Sequence, residues 1–139
     1  MTAIIFPGQG SQYVNMSMDF NENFDVARKV FQEIEDSTQI NIRKIITENP
    51  LDNLNQTNYT QISIFSASMA VYKSLLGEFG NEIIKPKILL GHSLGEYSAL
   101  VAGNIINIAD ASILIKKRGE LMHSSIEPNV SGMAAIIGK

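Results

Sequence analysis

The segment from Pro86 to Leu100 constrains this chain more than any other. Lys87-Ile-Leu-Leu90 is a short apolar run entered through Pro86 and left through Gly91, the pattern of a central parallel strand. Gly91-His-Ser-Leu-Gly95 follows directly and leads into a stretch that predicts a helix from near Leu94 to Gly103. So tight a turn from strand to helix crowds the backbone around Ser93, and glycines at the flanking positions relieve that crowding.

The rest of the chain alternates strand with helix. Ala3 to Phe6 predicts a buried strand that runs into the glycine-rich loop Pro7-Gly8-Gln9-Gly10-Ser11-Gln12, where backbone amides can crowd a ligand. Phe24, Ala27, Val30, Phe31 and Ile34 recur at helical spacing, with Asn23 available as N-cap. Ile42, Ile45 and Ile46 predict a short helix, and the Asn-rich stretch from Asn49 to Tyr59, broken by Pro50, a loop with one helical turn. From Thr60 to about Leu76, one face carries Ile64, Ala67, Ser68, Val71 and Leu75, which predicts a long, well-buried helix ending near Gly77 and Gly80. A last helix is expected from about Ile108 to Ser124, with Asn107 and Asp110 placed as a capping box in which Asp replaces Glu or Gln. The class is therefore α/β. Residues Gly132 to Lys139 read as one more strand, with no partner after it, so the chain is expected to be a fragment.

Composition excludes several classes. The 139 residues are 45% hydrophobic and 18% charged, ordinary for one folded domain, and the net charge of -3 comes without any basic cluster, which argues against nucleic acid. With no cysteine there is no disulfide, thiolate metal site or cysteine nucleophile, so covalent chemistry falls to Ser, Thr, Lys or a carboxylate. No stretch reaches membrane-spanning length and Met1 to Phe6 lacks a signal-peptide pattern, which gives a cytoplasmic expectation.

Between a strand and a helix, G-x-S-x-G has the context of a nucleophile elbow, with Ser93 Oγ at a helix N-terminus whose free N–H groups favour an oxyanion. The Leu94 amide is one candidate donor, and the Pro7-Gly8-Gln9-Gly10 loop, also at a strand's carboxyl end, can supply another. The alternative is a chance match to three fixed positions. His92, adjacent to the serine in a tight turn, points away from it and reads as structural, and His123 reads as a solvated helix-end residue. The chain thus supplies no complete triad.

Arg118 falls on the apolar face that Ala111, Leu114, Ile115, Leu121 and Met122 mark on the last helix. A guanidinium aimed at the core needs a partner, and its fork suits a carboxylate. That partner can be an internal Asp or Glu, the stem can carry the charge back to water, or the carboxylate can belong to a ligand, which would make a pocket for a dicarboxylic acyl group.

Five ordered blocks carry a resemblance: Phe6-Pro-Gly-Gln-Gly-Ser-Gln12, Thr60-Gln61, Gly91-His-Ser-Leu-Gly-Glu-Tyr-Ser-Ala-Leu100, Lys117-Arg-Gly119 with Met122, and Gly132-Met-Ala-Ala-Ile-Ile-Gly138. In order and spacing the chain resembles the malonyl-CoA:acyl carrier protein transacylases of bacterial fatty acid synthesis, over its whole length. The resemblance implies a partial α/β-hydrolase-like parallel sheet with flanking helices, residues 1–127 forming the amino-terminal part of the core and 128–139 beginning a ferredoxin-like small subdomain. It implies that Ser93 carries the malonyl ester, that the Gln9 and Leu94 amides form the oxyanion hole, and that Arg118, Gln61 and Met122 bind the acyl group. Substrates would be malonyl-CoA and acyl carrier protein, with no metal or redox cofactor, and the complete enzyme would be a monomer. The family's catalytic histidine would lie beyond Lys139, so this chain alone is expected to be a poor catalyst of limited stability. The chain departs from the family at Ile62, where proline is common.

Three rivals remain, one of them a non-catalytic interaction fragment, which fits the missing base. A polyketide synthase acyltransferase shares the motifs, although the start at Met1 and, by resemblance, Leu94 favour a free-standing malonyl enzyme. A serine esterase shares the elbow but gives Arg118 no role.

Overall fold

The computed structural model describes residues 2–125, together with 130 and 136. The chain runs β1 (Ala3–Phe6), α1 (Met18–Asn23), α2 (Asp25–Thr38), α3 (Ile42–Glu48), a 3-10 segment (Pro50–Asn55), α4 (Thr57–Ile83), β2 (Ile88–Gly91), α5 (Gly95–Ala102) and α6 (Ile108–Ser124). β1 and β2 pair in parallel, with Ile4 opposite Leu89 and Phe6 opposite Gly91. Parallel neighbours cannot be joined by a tight turn, and here the four helices α1 to α4 make the crossover.

α4 is the central helix. It packs most extensively on α6 and α2 and also meets α3 and α5, while α5 lies against both strands. Every residue from Thr60 to Ser66 is buried, because neighbours close on this part of the helix from several sides. Ser66 and Ser74 are accommodated there by donating to carbonyls one turn back, those of Ile62 at 2.7 Å and Ala70 at 2.8 Å. Phe31 and Ile34 of α2, Ile42 and Ile46 of α3, Ile62, Phe65 and Met69 of α4 and Ile115 of α6 fill the core, all fully buried. Phe6 joins the sheet to this core by an edge-on contact with Tyr72, ring centroids 5.7 Å apart.

α2 and α3 are tied by one ion pair. The Glu35 carboxylate accepts from Arg43 Nε at 3.0 Å and from the Arg43 backbone N–H at 2.9 Å, and this hydrogen bonding raises the Arg43 pKa above its usual value. Asn107 caps α6 through Oδ1, which accepts from Asp110 N–H at 2.8 Å. The return arm of this capping box differs from the expected one: Asp110 takes the Asn107 side-chain amide at 2.8 Å, since an aspartate is one methylene shorter than glutamate.

Several expectations need correction. Asn23 does not cap α2, because it closes α1, where its side chain donates to the Asp19 carbonyl; Phe24, extended and without a side-chain cap, begins α2. α4 passes through Gly77, which faces Val26 at ordinary contact distance, and leaves helical geometry only at Gly80, where φ is 75°, before a last turn to Ile83. A single glycine among helix formers weakens a helix by about 1 kcal/mol without ending it.

The two strands are not covered on both faces among the described residues: Ile5 is 69% and Leu90 49% exposed, on the same face. Their continuous apolar runs, the signature of a doubly covered sheet, therefore outstrip the cover present. The strand expected over 132–139 and the subdomain assigned to 128–139 lie outside the described residues, apart from the exposed Val130 and Ile136. Among the described residues no helix is long and apolar enough to cross a membrane.

Candidate active site

The site is built at the carboxyl ends of both strands. β2 ends at Gly91, and Ser93 follows with φ of 51°, in the left-handed region that non-glycine residues rarely occupy. Hydrogen bonds from Gly95 N–H to the His92 carbonyl (2.9 Å) and from Glu96 N–H to the Ser93 carbonyl (3.2 Å) close the turn. A Cβ at Gly91 would lie 1.9 Å from the Gly95 carbonyl carbon, and one at Gly95 would lie 2.2 Å from the Phe6 carbonyl oxygen. The two glycines are thus required by contact: strand, helix and the end of β1 meet with no room for side chains. Ser93 itself is exposed.

Leu94 is the N-cap of α5, so its N–H lies ahead of the first intrahelical hydrogen bond. The loop after β1 is laid directly on the elbow, since a Cβ on Gly8 would stand 2.5 Å from the His92 carbonyl oxygen, and Gln9 is the next residue. Two loops that each carry a candidate oxyanion donor are therefore brought into contact. The Gln9 loop is further pinned by Gly10 N–H to Gln12 Oε1 (2.8 Å), Ser11 Oγ to the Gly8 carbonyl (2.8 Å) and Gln12 Nε2 to Asn55 Oδ1 (3.1 Å).

Arg118 reaches this turn from α6. Its Nη2 donates to Ser93 Oγ at 3.0 Å and its Nη1 to Gln61 Oε1 at 2.5 Å, while the guanidinium carbon stands 5.9 Å from the centre of the Tyr97 ring. All three partners are uncharged, and among the described residues Arg118 forms no ion pair. The internal-carboxylate alternative is thereby removed for this part of the chain.

The route to Arg118 from the sequence was partly mistaken. α6 buries Ile108, Ala111, Ser112, Ile115 and Gly119, whereas Leu114 and Leu121 are 50% and 57% exposed and Met122 is also exposed. Arg118 does not point into the core; with Leu114 and Met122 it forms a second row beside the buried stripe, facing Ser93.

Gln61 is fully buried and held at both ends, its Oε1 by Arg118 and its Nε2 by Met122 Sδ at 3.2 Å. Ile62, in place of proline, is buried in the core, and the helix that carries Gln61 is continuous through it. His92 is exposed and its ring Nδ1 lies against Gly8, where an added Cβ would come within 2.8 Å; His123 is exposed in the last turn of α6. Neither is hydrogen-bonded to Ser93 among the described residues. Two neighbours of the site carried no assignment from sequence: Tyr97, although it lies one turn after Ser93, and Thr57, which meets Gln9 across 48 positions.

An apolar groove of about 400 Å³, lined by Ile4, Tyr13, Phe20, Ala67, Val71 and Leu75 among others, touches neither Ser93 nor Arg118.

Comparison with known proteins agrees with this geometry. A family model described as the acyl transferase domain matches residues 3–137. The malonyl CoA-acyl carrier protein transacylase of Haemophilus influenzae is 36% identical over 136 residues, which are 98% of this chain and 43% of that protein. One from Bacillus subtilis is 38% identical over 134 residues, 96% of this chain and 33% of that protein. Among solved structures, the acyl-carrier-protein-S-malonyltransferase of Bartonella henselae superposes with a TM-score of 0.85 at 38% identity, covering 91% of this chain and 41% of that one. A type II polyketide synthase carrier protein in complex with its malonyl-transacylase superposes with a TM-score of 0.82 at 35% identity, covering 90% and 40%. The chain thus spans less than half the length of the relatives it matches.

Proposed function

The chain belongs to the acyl transferase domain family, and from that premise we propose that it is the nucleophile-bearing part of a malonyl-CoA:acyl carrier protein transacylase of fatty acid synthesis. Ser93 Oγ attacks the thioester carbonyl of malonyl-CoA, its proton passes to a base, and the tetrahedral oxyanion is held by the Gln9 and Leu94 amides. The C–S bond then breaks, coenzyme A leaves as its thiol, and a malonyl-Ser93 ester remains. In the second half the phosphopantetheine thiol of acyl carrier protein attacks the ester, the C–O bond breaks, and Ser93 regains its proton.

The observation that carries this reading is the 3.0 Å contact of Arg118 with Ser93 Oγ, made by a guanidinium that no carboxylate among the described residues neutralises. An acyl group bonded to Ser93 whose own carboxylate lies only two carbons further on would exchange this contact for an ion pair. Gln61, itself held by Met122, holds the arginine for that exchange. An esterase makes no use of such a cation. Neither histidine here is placed as the base, so the whole reaction draws on residues other than those described. We place the activity in the cytoplasm, where its thioester substrates are made.

The test is transfer from malonyl-CoA to holo-acyl carrier protein by the product of the complete reading frame that carries these residues. Transfer abolished by Ser93→Ala supports the proposal. Hydrolysis of simple esters without transfer contradicts it and favours the esterase reading.

A further inference from the structure

The first turn of α4 touches both halves of the site. Thr57, its opening residue, accepts a hydrogen bond from Gln9 Nε2 on Oγ1 at 3.3 Å. On the other side of the same residue, the Thr57 carbonyl faces Gly119, where an added Cβ would come within 3.1 Å of it and 3.0 Å of Asn58 Cα. Gly119 directly follows Arg118, and Gln61, which holds Arg118, lies one turn further along α4. A single helical turn therefore stands between the loop of the proposed oxyanion donor and the arginine.

We infer that Thr57 is a positioning residue for the oxyanion hole: its hydroxyl holds the Gln9 side chain and so, together with the Ser11 bonds to the Gly8 carbonyl, fixes the direction of the Gln9 backbone N–H toward the carbonyl bound at Ser93. This inference rests on the reading of Gln9 as an oxyanion donor. The physical reason is the loop's own geometry. Gly10, at φ of 104° and with open space around it, leaves the chain free to turn on the carboxyl side of Gln9. Ser11 holds the Gly8 carbonyl, the acceptor end of the planar peptide that carries the Gln9 N–H, while Gly10 and Gln12 are pinned beyond it. The Gln9 side chain adds a second tether on the donor residue, and Thr57 is the residue it reaches. A donor must be aimed before the reaction to be effective, and a displacement of the order of 1 Å at such a position can cost about a hundredfold in rate.

The experiment uses the complete reading frame with Thr57→Val, which keeps the branched shape at a helix start but removes the hydroxyl, and Thr57→Ser, which keeps the hydroxyl. Two reactions are followed. Malonyl transfer gives kcat and KM, and phosphonylation of Ser93 by an alkyl fluorophosphonate reads the oxyanion hole without using Arg118 or malonyl recognition. The expected result is a fall of about tenfold or more in kcat and in the phosphonylation rate for Thr57→Val, KM for malonyl-CoA within about twofold, and recovery in Thr57→Ser. Unchanged rates in Thr57→Val overturn the inference, as does a Ser variant as slow as the Val variant, or a loss confined to malonyl transfer. Should the wild type fail to transfer malonyl, the functional reading fails while the phosphonylation rates still decide the role of Thr57. A wild-type Ser93 inert to the phosphonate overturns both.

Discussion

Arg118 and Ser93, 25 residues apart, meet at 3.0 Å through Nη2 and Oγ, and the same guanidinium is anchored on Gln61, a residue with no exposed surface. The elbow places the serine; α6 and α4 together place the cation beside it. The serine hydroxyl and the guanidinium are thereby fixed relative to each other.

Replacing Arg118 by Ala should act on substrate choice more than on the nucleophile. Loss of a charge-assisted pair costs about 1.5–3 kcal/mol, or roughly ten- to a hundredfold in kcat/KM for malonyl-CoA. Acetyl-CoA, which offers no carboxylate, should be affected far less. Steady-state kinetics with both thioesters on the complete product measure the ratio, and an equal loss for the two would remove the carboxylate-binding role.

Gly119→Ala should loosen the seam between α6 and α4. The new methyl would fall 3.0 Å from Asn58 Cα and 3.1 Å from the Thr57 carbonyl, both backbone atoms that can only move with their helix. Overpacking of this kind costs about 1–3 kcal/mol. Thermal unfolding of the complete product should show a lower midpoint, accompanied by weaker malonyl discrimination as Arg118 shifts with α6.

The elbow was legible in the sequence because its determinants are local: two glycines and a serine within five residues, between a run of strand period and one of helix period. The ends of α6 were legible for the same reason, through Asn107 and the periodicity that follows. What escaped depends on how elements meet. Periodicity gave α6 one broad apolar face, but only packing against α4 decides that Ile115 and Gly119 are buried while Leu114 and Leu121 are not. Arg118 stands out in the sequence as an arginine among apolar residues, yet its partner Gln61 lies 57 positions away and its direction comes from tertiary contact. Asn23 looked like a cap because nothing local reveals that another helix has already used it.

Alkaline pH should expose the junction of sheet and core. Tyr72 is buried and its hydroxyl donates to the Ala102 carbonyl at 3.4 Å; burial pushes its pKa above the usual tyrosine value of 10.0. The folded chain therefore holds this proton more tightly than the unfolded chain. The corresponding stability is complete below pH 10.0 and is lost as pH rises through the higher folded value. Denaturant unfolding across that range should show a decline that is smaller in Tyr72→Phe, and identical slopes in the two proteins would contradict the assignment.

The most direct measurement is intact mass after brief exposure to malonyl-CoA, made on the complete product and on the 139-residue chain in parallel. The account predicts a single malonyl adduct on the complete product, mapped to Ser93 by peptide analysis, absent in Ser93→Ala and strongly reduced in Arg118→Ala, with little or no adduct on the shorter chain. An adduct at another residue, or one at Ser93 that forms equally well without Arg118, would contradict it.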